Sequence, residues 1–127
     1  MSATAESRDV SLTIPARADY LVLARLALSA VCRLTSLSAD EIADLKLALT
    51  EAASDYVDEA SAENDEARLA FAFRLLSDRL EMELDGRPVD VPASEQELSR
   101  AIIDATVDEC DFGAAGTRLV KHLRGAR

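Results

Sequence analysis

The sequence predicts a single α+β domain in which three helices cover one face of a mostly antiparallel sheet, a two-layer α/β sandwich. Segments with apolar residues at every second position alternate with segments in which they recur every three or four positions. The resulting order is β-α-α-β-β-α-β-β, with four of the strands in consecutive pairs, which favours antiparallel pairing. At 127 residues, 49% of them apolar, the chain can bury the core of such a domain.

The chain is expected to begin with a strand and a helix. Residues 1–8 are predicted to form a disordered tail, which leaves residues 9–125 as one domain. Residues 10–14 alternate between apolar and polar and are rich in β-branched side chains, so they predict a strand that ends at Pro15. From Asp19 the apolar residues follow a helical period, on a stripe formed by Leu21, Ala24, Leu28, Val31 and Leu34.

The second helix has the clearest signals. Ser38 and Glu41 stand three residues apart and predict a capping box at its start. The helix is expected to run to about Ala60 and to be followed by a polar, acidic linker over residues 61–66. Its core-facing stripe is predicted to contain Ile42, Leu45, Leu49, Ala52 or Ala53, and Tyr56.

Two hairpins are predicted in the second half of the chain. Residues 68–75 and 80–84 alternate strictly and are separated by a short turn. Residues 110–112 and 117–123 flank the segment 113–116, whose two glycines and two alanines are typical of a turn. Both pairs of strands are therefore expected to be antiparallel.

A third helix is predicted between the hairpins. Ser94 and Glu97 have the spacing of a second capping box, and the helical period continues to about Asp108. The residues expected to be buried are Leu98, Ala101, Ile102, Ala105 and Val107.

Composition excludes several classes of function. The net charge of −10 disfavours nucleic acid and anionic membranes as partners. No apolar stretch approaches a membrane span, and the N-terminus lacks the pattern of a secretory signal, so a cytoplasmic protein is expected. Cys32, Cys110 and His122 are too scattered for a metal site, and none is predicted. A row of acids at Glu51, Asp55 and Glu59 indicates, on spacing alone, a solvated helix face.

Residues 41–52, EIADLKLALTEA, are similar to the N-box helix of the anti-sigma factor serine kinases, bacterial members of the GHKL (Bergerat-fold, histidine kinase-like ATPase) superfamily. Ile14-Pro15-Ala16, residues 24–29 and the segment from Gly116-Thr117 resemble other parts of the family in the same order. The resemblance spans roughly residues 10–124. It implies the Bergerat fold, here with a shortened lid.

The resemblance also assigns nucleotide-site residues. In the family an N-box glutamate is the general base and an asparagine four residues later holds Mg²⁺; Glu51 and Asp55 stand at these positions. Asp85 and Gly86 are what is left of the adenine-binding Asp-x-Gly-x-Gly box, and only residues 89–93 stand where relatives have a lid. These departures imply a vestigial general base and a vestigial ATP/Mg site, with no cofactor bound.

The expected function is accordingly an anti-sigma factor-like regulator, a degenerate kinase that binds a sigma factor and/or a STAS-domain anti-anti-sigma factor, without ATP turnover. The resemblance implies partner contacts at Arg17, Arg25 and Leu28. It also implies a possible homodimer through the sheet side. If one face of the sheet is otherwise bare, the candidate contacts are the strand of Phe71 and Phe73 or the pair Leu119 and Val120.

Two alternatives stay open. The first is an active ATP-dependent serine kinase that phosphorylates its STAS-domain antagonist, with Glu51 as base and Asp55 as Mg²⁺ ligand. The second is a small interaction domain unrelated to transcription.

Overall fold

The computed structural model describes residues 8–57, 67–113 and 116–123. It confirms the predicted class, because five strands form one antiparallel sheet and three helices pack against one face of it. Arg8, predicted to belong to the tail, is already part of the first strand. Residues 1–7, the linker 61–66 and residues 124–125 lie outside the described part of the chain.

The sheet contains both predicted hairpins. Its strands are β1 (Arg8–Pro15), β2 (Arg68–Leu75), β3 (Arg79–Gly86), β4 (Glu109–Gly113) and β5 (Gly116–His122). Their spatial order is β1-β2-β3-β5-β4, and every neighbouring pair is antiparallel. Because side chains alternate between the two faces, one face carries the core and the other carries mostly polar residues. The core side chains on the strands include Ile14, Leu69, Phe71, Phe73, Leu80, Met82, Leu84 and Leu119.

The helical layer consists of α1 (Leu21–Cys32), α2 (Ala39–Ala53) and α3 (Ala93–Thr106), with a 3-10 turn before α1. The predicted extension of α2 to Ala60 is wrong. Beyond Ala53 the chain forms a turn instead, and it brings the ring of Tyr56 into the core. The Tyr56 hydroxyl lies 2.8 Å from Thr117 Oγ1 on β5, and this buried contact holds the chain away from the helix axis.

The capping box of α2 is confirmed, whereas the one predicted for α3 is wrong. Ser38 Oγ accepts a hydrogen bond from Glu41 N at 3.1 Å, and Ser38 N donates to Glu41 Oε1 at 2.9 Å. Helix α3 begins directly after Pro92, which makes no side-chain capping bond. Ser94 therefore lies inside the first turn, where its hydroxyl is not placed to cap the helix.

Helix α3 also buries a different face from the predicted one. Ser99 and Ile103 are its buried residues, and the Ser99 hydroxyl donates to Glu51 O on α2 at 3.2 Å. Leu98 is 64% exposed, so its predicted burial is wrong. The same holds for Ala101 and Ala105, which are exposed, while Ile102 and Val107 are half-buried. The buried face is therefore rotated by about one residue position, about 100°, from the face that the apolar period of the helix favours.

The residues that were expected to form a dimer contact are not available for one. Phe71, Phe73, Leu119 and Val120 are at most 2% exposed within a single subunit. That choice of contact residues is therefore wrong. Among the described residues, no helix is both long and apolar enough to cross a bilayer.

The two predicted caps give a direct test of the fold. Ser38→Ala is expected to lower the free energy of unfolding by about 1 kcal/mol, because it leaves an amide of the first turn of α2 without its acceptor. Ser94→Ala is the matched control and is expected to change stability by less than about 0.5 kcal/mol. Urea denaturation followed by circular dichroism measures both. Equal effects of the two substitutions would contradict the assignment of the caps.

Candidate functional site

A groove of about 640 Å³ opens between the helices on the side where β3 ends. Its walls come from the start of α1, the end of α2, residues 89–92 and the first half of α3. Several of these lining residues are apolar: Leu21, Val57, Val89, Val91, Leu98 and Ile102. Polar side chains are interspersed with them, so the groove can hold a ligand that has both apolar and polar parts.

Glu51 and Arg25, two of the predicted site residues, come together in this groove from different helices. Glu51 is half-buried near the end of α2, and its backbone oxygen accepts the hydrogen bond from Ser99. Arg25 approaches from α1, and its Nη1 donates to Thr50 Oγ1 at 3.4 Å. The contacts of Ser99 and Arg25 fix α3 and α1 to opposite sides of the last turns of α2.

Asp55 lies just beyond the end of α2 and is paired with Arg100 of α3, Nη2 to Oδ2, at 3.8 Å. The Asp55 side chain is only 14% exposed, and its Oδ1 has no hydrogen-bond partner among the described residues. Burial raises the pKa of Asp55, although the charge of Arg100 and a side-chain hydrogen bond from Gln96 act in the opposite direction. The Arg100 guanidinium also lies 4.1 Å above the ring of Phe112. The guanidinium thus supplies the positive charge beside Asp55.

Asp85 is not part of this groove. It follows the core residue Leu84 on β3, so strand alternation turns its side chain to the opposite face of the sheet, where it is exposed. There it lines a separate shallow cavity together with Glu83 and Arg118. Glu51 therefore lines the groove, whereas neither Asp55 nor Asp85 is among its lining residues.

Gly86 has three close neighbours. A Cβ atom at this position would stand 3.1 Å from Leu69 Cδ1, 3.3 Å from Tyr56 Cδ1 and 3.4 Å from the backbone oxygen of Arg68. The ring of Tyr56 therefore fills the space beside Gly86, and its hydroxyl is held by Thr117. Because this contact joins residues far apart in the chain, no sequence pattern indicated it.

The three predicted partner-binding residues differ in their exposure to solvent. Arg17 is exposed and lies 3.9 Å from Asp19, and Arg25 borders the groove. Leu28 is fully buried, so it is unable to contact a partner directly. The exposed apolar residues of α1 are instead Val22, Leu23 and Leu26, at 44%, 43% and 60% exposure. The signal for them was present in the sequence, because α1 is apolar on nearly all sides.

Comparison with curated proteins identifies the family. The serine-protein kinase RsbW of Bacillus subtilis (strain 168) is 31% identical to this chain over 116 residues, which cover 90% of the chain and 72% of that relative. The chain belongs to the RsbW family of anti-sigma factor serine-protein kinases. Two further RsbW proteins are also similar. The Bacillus licheniformis protein is 31% identical over 90% of this chain and 73% of its own length. The protein of Listeria monocytogenes serotype 4a is 27% identical over 90% of this chain and 74% of its own length. No protein-family model matches the sequence.

Two acidic residues stand at nucleotide positions of the RsbW family, and the structure shows the surroundings of each. Asp55, at the metal-ligand position, is paired with Arg100, and Asp85 faces away from the groove. Within residues 8–57, 67–113 and 116–123, no group of three or more His, Cys, Asp or Glu side chains is placed to hold a metal ion.

The raised pKa of Asp55 has a consequence for stability. The pKa of Asp55 is higher in the folded state than in the unfolded state. The free energy of unfolding therefore falls as the pH rises from the unfolded pKa to the folded pKa, because the folded state holds the proton more tightly. Asp55→Asn removes this penalty, while Arg100 is 41% exposed and can be solvated without its partner. The variant is thus expected to be at least as stable as the parent at pH 7 and to lose its advantage below about pH 4.

Thermal denaturation at the two pH values measures this difference. Asp44→Asn, an exposed position on α2, is the control and is expected to change stability by less than about 0.5 kcal/mol at either pH. A loss of about 2 kcal/mol or more in Asp55→Asn at pH 7 would instead identify a strongly stabilising ion pair.

Proposed function

We propose that this chain is a regulator that binds a sigma factor and/or a STAS-domain anti-anti-sigma factor through α1, without turning over ATP. A bound sigma factor would be unable to engage RNA polymerase, so the mechanism is occlusion. Membership in the RsbW family supports the kind of partner. The proposal places the protein in the cytoplasm and includes a possible homodimer.

The observation that carries this proposal is the apolar surface of α1. Val22, Leu23 and Leu26 are exposed on this helix, although Leu21, Ala24 and Leu28 already supply its core contacts. A helix that is apolar on both its inner and outer sides has more apolar surface than the fold needs. Leu98 of α3, across the groove, adds to the exposed apolar surface. Apolar surface of this kind is typical of the core of a protein–protein interface.

The charges of the groove support a function without nucleotide. Glu51, Asp90 and Glu95 line it, and all three oppose the negative charge of a triphosphate. Glu95 also stands in the first turn of α3, where its carboxylate competes with a phosphate for the helix N-terminus.

The outer face of the sheet is the surface that would serve a homodimer. Short side chains such as Ser11, Ala70 and Ala72 alternate with the core residues of β1 and β2 on this face. Next to them Glu81 is 5% exposed and is held by Arg79 at 2.7 Å and Arg118 at 2.9 Å. Because Arg79 and Arg118 already pair with Glu81 within the subunit, this buried carboxylate needs no partner from a second subunit.

One observation favours the alternative, an active kinase that phosphorylates a STAS-domain partner. Glu51 lines the groove and remains half-exposed, as a general base must be to reach a substrate. Magnesium and ATP would then have to displace Arg100 from Asp55.

Calorimetric titration of the full chain with Mg-ATP and with Mg-ADP separates the two functions. No binding is expected at nucleotide concentrations up to the millimolar range, because the groove is acidic and Asp55 is already paired. The Bacillus subtilis relative, a serine-protein kinase by name, is the positive control. Micromolar binding would overturn the proposal that nucleotide is not used. Capture of partners from a lysate of the source bacterium, with neither a sigma factor nor a STAS-domain protein recovered, would overturn the proposed class of partner.

A further inference from the structure

The groove carries three carboxylates whose charge no residue of the described part of the chain neutralises. Glu51 comes from α2, Asp90 from the segment before α3, and Glu95 from α3 itself. None of them forms an ion pair with another residue of the described ranges. Among the described lining residues Arg25 is the one basic residue, and its Nη1 donates to Thr50 Oγ1. The groove is therefore a negatively charged cleft.

The same groove has apolar walls that are incompletely covered. Leu98 is 64% exposed, and Val57, Val89 and Ile102 are half-buried. A ligand that contacts these walls gains from the burial of apolar surface, at about 25 cal/mol per Å² removed from water. A metal ion or a free polyamine would satisfy the carboxylates without using the walls. The chemistry that complements both features combines positive charge with apolar side chains.

We propose that this groove docks a basic amphipathic segment of a partner protein, with leucine-like side chains against the walls and a lysine or arginine between Glu51 and Asp90. This inference rests on the proposed function, because it names the chemistry of the partner that α1 binds. A volume of about 640 Å³ admits several side chains of one segment and excludes a folded domain. Attraction between the acidic groove and the basic segment also accelerates their association.

The basic residues of β5 are not the occupant. Lys121 lies 3.8 Å from Glu41 near the first turn of α2, whereas the groove lies at the last turns of that helix. Leu123 N donates to Asp78 O at the turn between β2 and β3, again at the opposite end of the sheet from Gly86. Lys121 and Leu123 therefore lie at the far ends of α2 and of the sheet from the groove.

Two synthetic amphipathic peptides with the same leucine pattern test the inference, one with lysines on its polar face and the other with glutamates. Each is titrated into the full ¹⁵N-labelled chain, followed by NMR chemical shifts and by fluorescence anisotropy. The lysine peptide is expected to bind and to shift the amides of α1, of residues 89–92 and of the first half of α3. Binding of the glutamate peptide with equal affinity, or shifts confined to the outer face of the sheet, would overturn the proposal.

Charge-reversed variants provide the matched control. Glu51→Lys/Asp90→Lys is expected to weaken binding of the lysine peptide about tenfold. Asp44→Lys/Asp104→Lys changes the net charge equally on exposed positions outside the groove and is expected to have less than about a twofold effect. Equal weakening in both pairs would show that the peptide responds to net charge alone, which overturns the inference. Circular dichroism melting checks that each variant folds.

The inference and the proposed function fail in different ways. If Leu26→Asp prevents capture of the sigma factor or STAS-domain partner while Glu51→Lys/Asp90→Lys captures it at the parental level, the groove inference is overturned and the proposed function stands. If Leu26→Asp captures the partner normally while the groove pair loses the lysine peptide, the groove stands and binding through α1 is overturned.

Discussion

Leu26→Asp is expected to weaken binding of the protein partner about a hundredfold or more. Leu26 is 60% exposed near the middle of α1, and it becomes buried when the partner binds. Its replacement by aspartate removes apolar contact with the partner and leaves an unpaired charge in the interface. The fold is expected to tolerate the substitution because Leu26 is not part of the core. Surface plasmon resonance with the partner recovered by capture measures the dissociation constant.

Ser77→Asp, in the turn between β2 and β3, is the control for the added charge. Ser77 is exposed and lies at the opposite end of the sheet from Gly86, outside the groove and outside α1. Its substitution is expected to leave the affinity within about twofold, since charge alone at a distant surface is screened by salt. A comparable loss of binding in both variants would contradict a contact through α1, and unchanged binding in Leu26→Asp would contradict the proposed surface.

Much of this fold follows from patterns that are local in the sequence. The alternation over residues 68–75 and 80–84 fixed the first hairpin because one face of the sheet is apolar and the other is polar. The start of α2 was predictable because Ser38 and Glu41 satisfy its amides within four residues of chain. The end of α2 was not, since it depends on Tyr56 meeting Thr117 on a distant strand.

The face that α3 buries shows the same limit. Leu98 and Ile102 are four residues apart, as are Ser99 and Ile103, so either pair can mark the buried face of a helix. Hydrophobicity favours burial of Leu98 and Ile102. The Ser99 hydroxyl donates to the backbone oxygen of Glu51, however, and Ile103 packs in the core, so contacts between elements accompany the observed rotation of the helix. As a result, two apolar side chains that sequence reasoning placed in the core line the groove instead.

The candidate site was predicted in part. The resemblance identified Glu51 and Arg25, and the structure brings both to the groove. The alternation of β3 turns Asp85 away from the face of Leu84 and thus away from the helices. The separation of Asp85 from Glu51 could therefore have been predicted from the sequence. The pairing of Asp55 with Arg100 was not, because an ion pair between two elements leaves no periodic signal in either of them.

Gly116→Ala is expected to lower the free energy of unfolding by about 3 kcal/mol or more. Gly116 has φ of 143°, which side chains rarely adopt, and a Cβ atom there would stand 2.3 Å from the backbone oxygen of Leu84. That oxygen belongs to the neighbouring strand, so relief of the clash has to move the start of β5 away from β3. The displacement would also draw Thr117 away from Tyr56, the contact that ends α2 beside the groove. Urea denaturation of the variant measures the change.

Gly86→Ala, at the last residue of β3, is the matched control. Its Cβ would meet Leu69 Cδ1 at 3.1 Å and Tyr56 Cδ1 at 3.3 Å, and these are side-chain atoms that can move by a few tenths of an ångström. The expected loss is therefore about 1 kcal/mol, typical of mild overpacking. Because the two substitutions add the same methyl group, the difference between them measures the rigidity of the backbone at Leu84. A loss in Gly86→Ala as large as in Gly116→Ala would instead place the rigid contact at Tyr56, and the side of the groove formed by the end of α2 would then depend on that ring.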